Sequence, residues 1–334
     1  MSGARRRGLL RLAVVVAVVL IFVFLTARGL FSGGGSSAPP RSETRHSATP
    51  PARPDASTLA VRLPEPLHGA TAAPAAGGLL VIGGADRNDV STDQVLRLDP
   101  SRRTVSSAGT LSQALHDAAA AAVGGRTLVF GGGAATTFDT IQELTPGGTA
   151  SVVGRLPAPA SDLSAVSLGG AAYVVGGYDG RTPLGTVLRA GAAGRPVRVG
   201  DLPTPVRYTA LAAAGGRLLS FGGELGDGSD TDLIQEYDPT TRRASIVGRL
   251  SQPVSHASAL VLDGWVYLLG GRRRGAASAQ ILRFDLATGK AARAGRLPSP
   301  LFDAAAGVSS GVGYLVGGID AGGTSVDSVV AVRP

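Results

Sequence analysis

The strongest constraint on this chain is a phrase that recurs six times beyond residue 57. Each copy starts at a leucine before a polar segment and closes with two glycines after an apolar run. The leucines are 48, 45, 46, 48 and 47 residues apart, and the glycine pairs keep the same spacings. The landmarks are Leu63, Leu111, Leu156, Leu202, Leu250 and Leu297, with Gly83-Gly84, Gly131-Gly132, Gly176-Gly177, Gly222-Gly223, Gly270-Gly271 and Gly317-Gly318. A period of this length predicts stacked or radial units, each too small to fold alone.

Each unit has the pattern of four short strands. Two-residue turns containing glycine separate the first two strands, and we place them at Gly77-Gly78, Gly124-Gly125, Gly169-Gly170, Gly215-Gly216, Asp263-Gly264 and Ser310-Gly311. Four-stranded units arranged in a ring form a β-propeller. The sequence therefore predicts an all-β, six-bladed β-propeller of four-stranded blades over residues 58–334.

The ring also has to close. The last copy supplies only three strands, whereas residues 58–63 match the fourth strand of the other copies. We predict that residues 58–63 complete the last blade and so remove the exposed strand edges between the first and last blades.

At these residues the chain resembles the Kelch-repeat family. The matching features are the Leu-Pro pairs, the glycine pairs and an aromatic residue or leucine followed by aspartate at the end of the third strand, at Leu63-Pro64, Leu156-Pro157, Leu202-Pro203, Leu297-Pro298, Leu98-Asp99, Tyr237-Asp238 and Phe284-Asp285. The resemblance covers about 80% of the chain and implies the propeller fold. The tryptophan usual in the family's fourth strand is absent, and Leu111 and Leu250 are followed by serine.

Composition excludes several classes of site. With no cysteine, the chain has no disulfide framework, cysteine-ligated metal or cysteine nucleophile. The net charge of +8 is concentrated in residues 1–57, where eight arginines face two acids, while the remaining residues carry 24 basic and 22 acidic side chains. A nearly neutral propeller is unsuited to nucleic acid, and we expect no nucleic-acid partner.

The N-terminal segment predicts where in the cell the protein is located. Residues 1–8 are a basic tail, and residues 9–27 are apolar over nearly the ~20 residues that a membrane-spanning helix needs. Basic residues remain on the cytoplasmic side, so the propeller would be extracytoplasmic on a single-pass signal anchor in the cell membrane. A signal peptide cleaved after Ala27 is the alternative. Residues 28–57 are rich in Gly, Ser and Pro, which predicts a disordered linker.

Two faces of the predicted propeller differ. The loops after the glycine pairs are long and varied, and they share one face with the loops that follow the landmark leucines. We call this the long-loop face, and the opposite side, with the glycine turns, the tight-turn face. Varied polar loops on a rigid scaffold are where binding usually resides.

The segment after each landmark leucine, here the lead-in loop, brings polar residues to the mouth of the central channel. The fifth and sixth positions hold three of the four histidines of the chain. The candidate ligand- or partner-binding residues are His68, His116, Asp117, Asp162, Arg207, Tyr208, His256 and Asp303. The competing interpretation is structural, because the family resemblance implies that polar residues here bond the neighbouring blade. Arg272, Arg273 and Arg274 are interpreted as a solvated basic loop or as a contact for an anionic partner.

The sequence gives little support to an enzyme. It lacks the cysteine of the copper oxidases of Kelch type and the Ser-x-Asp-x-Gly-x-Thr-Trp boxes of sialidases. A sugar-modifying enzyme similar to a mutarotase or epimerase, with Glu224, Arg207 and His256 at the channel mouth, stays open. We expect a monomeric binding or scaffolding module without cofactor or metal, whose partner is an exported protein or a cell-envelope glycan.

Overall fold

The computed structural model describes residues 53–145 and 148–334. All regular secondary structure in these ranges is β-strand. The basic tail, the predicted membrane segment 9–27 and the linker up to residue 52 lie outside the described residues. In the described part of the chain, no helix has the length and apolar character needed to span a membrane.

Six four-stranded antiparallel sheets form the blades, as the sequence predicted. Blade 1 contains β2 (Thr71–Ala75), β3 (Gly78–Ile82), β4 (Thr92–Asp99) and β5 (Thr104–Leu115). Blade 2 contains β6 (Ala119–Val123), β7 (Arg126–Phe130), β8 (Thr140–Leu144) and β9 (Ser151–Arg155). Blade 3 contains β10 (Ser164–Leu168), β11 (Ala171–Val175), β12 (Thr186–Ala190) and β13 (Pro196–Asp201). Blade 4 contains β14 (Ala210–Ala214), β15 (Arg217–Phe221), β16 (Leu233–Asp238) and β17 (Arg243–Arg249).

Blade 5 contains β18 (Ser258–Leu262), β19 (Trp265–Leu269), β22 (Gln280–Asp285) and β23 (Lys290–Arg296), and a small hairpin of β20 (Arg272–Arg273) and β21 (Ala276–Ala277) rises from its long loop. Blade 6 contains β24 (Ala305–Ser309), β25 (Val312–Val316) and β26 (Ser328–Arg333), and its fourth strand is β1 (Asp55–Arg62).

The N-terminal strand closes the ring. β1 pairs antiparallel with β26, from Asp55 opposite Arg333 to Arg62 opposite Ser328. It begins three residues before the predicted boundary, so residues 55–57 belong to the strand and not to the linker. Because β26 starts at a long loop, both Asp55 and Arg333 lie on the tight-turn face.

The glycine pairs join each blade to the next. The second glycine of each pair donates its N–H, at 2.7–3.0 Å, to a carbonyl in the next lead-in loop: Leu115, Ala160, Val206, Val254, Leu301 and, across the closure, Leu67. The first glycine leaves room for that carbonyl. A Cβ on Gly176, for example, would lie 2.6 Å from the Val206 oxygen, and Gly176 has φ +68°. The repeated pairs are therefore explained by packing between blades.

The core lies between the blades. Six apolar clusters each combine side chains from two adjacent blades. Between blades 4 and 5, for instance, the rings of Phe221 and Phe284 meet edge-to-face at 5.2 Å. A single blade cannot bury its faces by itself, which is the physical reason for the repeat.

Five of the six tight turns lie where the sequence places them. Both turn residues of blades 2–6 have positive φ, as a type I′ turn requires. In blade 1 the turn is formed by Ala76 and Gly77, one residue earlier than predicted, because Ala75 pairs with Gly78.

Candidate functional site

The sixth residues of the lead-in loops form a closed ring of backbone hydrogen bonds. Each one donates its N–H to the carbonyl of the equivalent residue in the preceding blade, at 2.8–3.2 Å, and the bond from Gly69 to Asp303 completes the circle. The members are Gly69, Asp117, Asp162, Tyr208, His256 and Asp303. We call them the channel ring.

Every residue of the channel ring has left-handed backbone, with φ between 53° and 58°. Glycine, aspartate and histidine are enriched in this conformation, whereas tyrosine adopts it rarely. The backbone of this position is therefore committed to structure, and only the side chains are available for binding.

The ring side chains contact one another. The Tyr208 and His256 rings stack with centroids 3.8 Å apart. The Tyr208 hydroxyl donates to Asp117 Oδ2 at 3.2 Å, across the ring from blade 4 to blade 2. His256 Nε2 lies 4.0 Å from Asp303 Oδ2.

Burial is the largest cause of the pKa shifts of these groups. Burial, reinforced by the charge of Asp162, raises the pKa of Asp303 to about 7. Burial and the neighbouring carboxylates also raise the pKa of Asp117 well above its usual value, and burial raises the pKa of Asp162. Burial, with the positive charges of Arg272 and Arg207, lowers the pKa of His256 to about 3. The ring therefore presents an imidazole that favours its neutral form beside buried carboxyl groups whose pKa values are raised.

A central cavity adjoins the channel ring. Its volume is about 430 Å³, and all six innermost strands line it with mostly small side chains, such as Ala119, Ser164, Ala210, Ser258 and Ala305. The five residues Asp117, Asp162, Tyr208, His256 and Asp303 all reach this cavity. The sequence predicted them as candidates, and the structure brings them together.

The two histidines at the fifth positions of the lead-in loops are held by hydroxyl groups of neighbouring long loops. His68 Nδ1 lies 2.8 Å from the Ser325 hydroxyl, and His116 Nδ1 lies 2.8 Å from the Ser91 hydroxyl. Burial lowers the pKa of both imidazoles. Neither side chain lines the cavity, although His116 Nε2 lies 3.8 Å from Asp117 Oδ2. The hydrogen bonds of His68 and His116 therefore support the structural interpretation, in which these side chains hold neighbouring blades together.

Arg207 belongs to an ion-pair network across blades 3–5. Its guanidinium bonds Glu224 and lies 3.4 Å from Asp162 Oδ2. Arg272 bonds the other oxygen of Glu224 at 2.6 Å and approaches Asp230 at 3.5 Å. Glu224 is buried between the two arginines. The contributions of Arg272 and Asp230 could not be predicted from the sequence, because the long loops differ between blades and carry no repeated pattern.

The interpretation of the Arg272–Arg274 loop as solvated is wrong for two of its three residues. Arg272 is ion-paired, and Arg273 is buried with 7% exposure. Only Arg274 is exposed, at the tip of the β20–β21 hairpin. Within residues 53–145 and 148–334, no group of three or more potential ligand side chains is placed to hold a metal ion.

Fold and ring together define the class: a six-bladed propeller of four-stranded blades with the register of Kelch repeats. No protein-family model matches the chain. The solved structure of YjhT matches with a TM-score of 0.71 and 17% identity, covering 81% of this chain and 99% of that one. Mouse Kelch-like protein 35 is 31% identical over 107 residues, which is 32% of this chain and 19% of the mouse protein. The chain therefore has the fold of a six-bladed β-propeller, and its repeats are similar to Kelch repeats.

Proposed function

We propose that the protein is a membrane-tethered, extracytoplasmic binding module that recognises an exported protein or a cell-envelope glycan through its long-loop face. A Kelch-type propeller is suited to binding or scaffolding, because its rigid ring carries loops that vary freely. Membrane attachment rests on the sequence of residues 1–27, and the identity of the partner class rests on the predicted location.

The observation that carries the proposal is that long loops of different sequence are held by hydrogen bonds within each loop. An aspartate in each of four long loops accepts backbone N–H groups of its own loop, at Asp86, Asp179, Asp227 and Asp320. The buried Glu224 network ties blade 4 to blade 5. Loops ordered before binding lose less entropy on association, which favours specific recognition.

The direction of the chain also supports this face. Residues before β1 join the propeller on the tight-turn face, since Asp55 lies there. The long-loop face is therefore on the side of the propeller opposite to the point where the chain enters β1. Val90, which is 59% exposed in the long loop of blade 1, supplies an apolar contact on the free face.

Paired crosslinking sites test the proposal. A photoreactive residue replaces Val90 in the full-length chain, and a second variant carries it at Leu286, an exposed apolar residue on the tight-turn face. We expect one saturable crosslinked species from the cell envelope at position 90, competed by unlabelled protein, and none at position 286. Crosslinking at position 286 alone, or at neither position, would refute the assignment of the face.

A sugar-modifying enzyme is the second candidate, and one observation favours it. Asp303, whose pKa is raised to about 7, lies beside a ligand-sized cavity, and a carboxyl group with this pKa can exchange protons at neutral pH. Glu224 and Arg207, which the sequence offered for this role, are bound to each other. Monosaccharide screening by thermal shift, followed by NMR of anomer exchange, tests this candidate, and Asp303→Asn should abolish any exchange found.

A further inference from the structure

Arg273 carries a positive charge that nothing in the described chain neutralises. Its Nε, Nη1 and Nη2 atoms are all buried, and among the described residues none has a hydrogen-bond partner. Burial lowers the pKa of Arg273, without any carboxylate acting in the other direction. Guanidinium groups remain protonated in proteins, and an uncompensated buried charge is strongly unfavourable. The group therefore favours any arrangement that brings an anion to it.

The position of Arg273 in the repeat makes it unusual. Two residues after the glycine pair, blades 1, 3 and 6 have Asp86, Asp179 and Asp320, whose carboxylates accept N–H groups of their own loops. Blade 5 has a cation at this position. A guanidinium cannot accept a hydrogen bond, so this loop forms the β20–β21 hairpin in place of the aspartate-centred turn.

The tip of the hairpin is held more weakly than its base, where Arg272 pairs with Ser255 through the backbone and with Glu224 through its side chain. Its strands are joined by two residue pairs, Arg272 with Ala277 and Arg273 with Ala276. The tip at Arg274 and Gly275 is exposed, and a Cβ on Gly275 would contact nothing within 4 Å. Successive side chains of a strand point to opposite faces, so Arg273 faces away from the network that holds Arg272. Short exposed elements of this kind open locally at low free-energy cost.

We propose that Arg273 is the receptor for a single carboxylate group of a protein partner that binds the long-loop face, reached when the tip of the β20–β21 hairpin opens while Arg272 stays in its ion pairs. This inference rests on the proposed function and names one contact within it. Guanidinium and carboxylate groups match in a two-point geometry, and the pair is strongest where water is excluded. Binding would replace an unpaired buried charge with a paired one.

The surrounding charges favour one isolated carboxylate over a polyanion. The long loops of blades 1, 3, 4 and 6 present Asp89, Asp179, Asp227 and Asp320. A chain of repeated negative charges, such as an acidic glycan, would meet these aspartates as soon as it extended beyond blade 5. A single acidic side chain or a C-terminal carboxylate would avoid them, because the acids nearest the hairpin, Glu224 and Asp230, are already paired with Arg272.

Acetate, the simplest carboxylate, is the probe for this site. The unfolding midpoint of the full-length chain is measured in sodium acetate and in sodium chloride at equal ionic strength. At an acetate concentration ten times its Kd, the midpoint should rise by about 3–5 °C. The Arg273→Leu variant should show a higher midpoint in chloride, because the buried charge is gone, and no response to acetate. The Arg274→Gln variant, in the same loop, should respond as the wild-type chain does.

Several results would overturn the inference. They are a lower midpoint for Arg273→Leu in chloride, a persistent acetate response in that variant, or no response in the wild-type chain. A larger shift with an oligouronate than with acetate at equal carboxylate concentration would assign the site to a polyanion instead. If Arg273→Leu leaves the crosslink at position 90 unchanged, this contact fails while the proposed function stands. If that crosslink is absent in the wild-type chain and acetate still acts through Arg273, the proposed partner fails and the anion site stands.

Discussion

Replacing one glycine of a repeated pair should weaken the contact between two blades, and the fold contains a matched control. Gly176→Ala introduces a Cβ 2.6 Å from the Val206 carbonyl oxygen, which accepts the Gly177 N–H at 3.0 Å. Gly170→Ala, in the tight turn of the same blade, introduces a Cβ with no atom within 4 Å. Both positions have similar left-handed backbone, with φ of +68° and +75°.

The two substitutions share one cost and differ in another. Alanine in left-handed backbone costs roughly 1–2 kcal/mol at either position. Only at Gly176 must the carbonyl retreat by several tenths of an ångström, which breaks the bond to Gly177 and leaves a buried donor unpaired. That loss is worth about 1–3 kcal/mol. Gly176→Ala should therefore reduce the free energy of unfolding by about 2 kcal/mol more than Gly170→Ala.

Circular dichroism during thermal and urea unfolding of the full-length variants measures this difference. For a domain of this size it corresponds to about 4–8 °C in the unfolding midpoint. The urea slope should be the same in both variants, since neither changes the surface exposed on unfolding. Equal midpoints, or a lower midpoint for Gly170→Ala, would refute the argument that the glycine pair exists for contact between blades.

Three further outcomes are expected. Val61→Ala, in the closing strand and 7% exposed, should cost about 2 kcal/mol by differential scanning calorimetry, whereas Val197→Ala, 62% exposed in an equivalent strand, should change stability by less than about 0.5 kcal/mol. Because the pKa of Asp303 is raised to about 7 in the folded state, the stabilisation contributed by its protonated form should be lost as pH rises from about 5 through 7, while the lowered pKa of His256 acts in the opposite direction below about pH 6.5. Urea titrations at each pH should therefore show the unfolding free energy of the wild-type chain falling relative to that of Asp303→Asn by about 1 kcal/mol per pH unit. Glu224→Gln, which leaves two partly buried arginines without their shared carboxylate, should cost about 3 kcal/mol in the same titrations, against less than about 1 kcal/mol for Asp232→Asn in an exposed pair.

Much of this architecture can be predicted from the sequence, because each blade repeats the same pattern of residues. The constant spacing of Leu63 to Leu297 defines the blades, and the missing fourth strand of the last copy points to residues 58–63. The strand start at Asp55 was not predicted. "DAS" has no apolar pattern, and its pairing depends on β26, which lies far away in the sequence.

The site was predictable to a smaller extent. The register of the repeat identified the ring positions, yet it could not show that their backbone closes a hydrogen-bonded circle, since φ is not encoded by spacing. The buried state of Arg273 was also invisible, because "RRRGAAS" is a typical composition for a solvated loop. Charge alone does not reveal burial where each loop differs from its counterparts.

Ring closure by β1 makes the response of the propeller to mechanical tension depend on direction. Tension between the long-loop face and the chain before Asp55 runs along β1, so the bonds of β1 to β26 are sheared and bear the load together. Tension between that same chain and Pro334 acts where Asp55 meets Arg333, and it separates the two strands one residue pair at a time. The propeller should therefore resist tension between its two faces better than tension between Asp55 and Pro334.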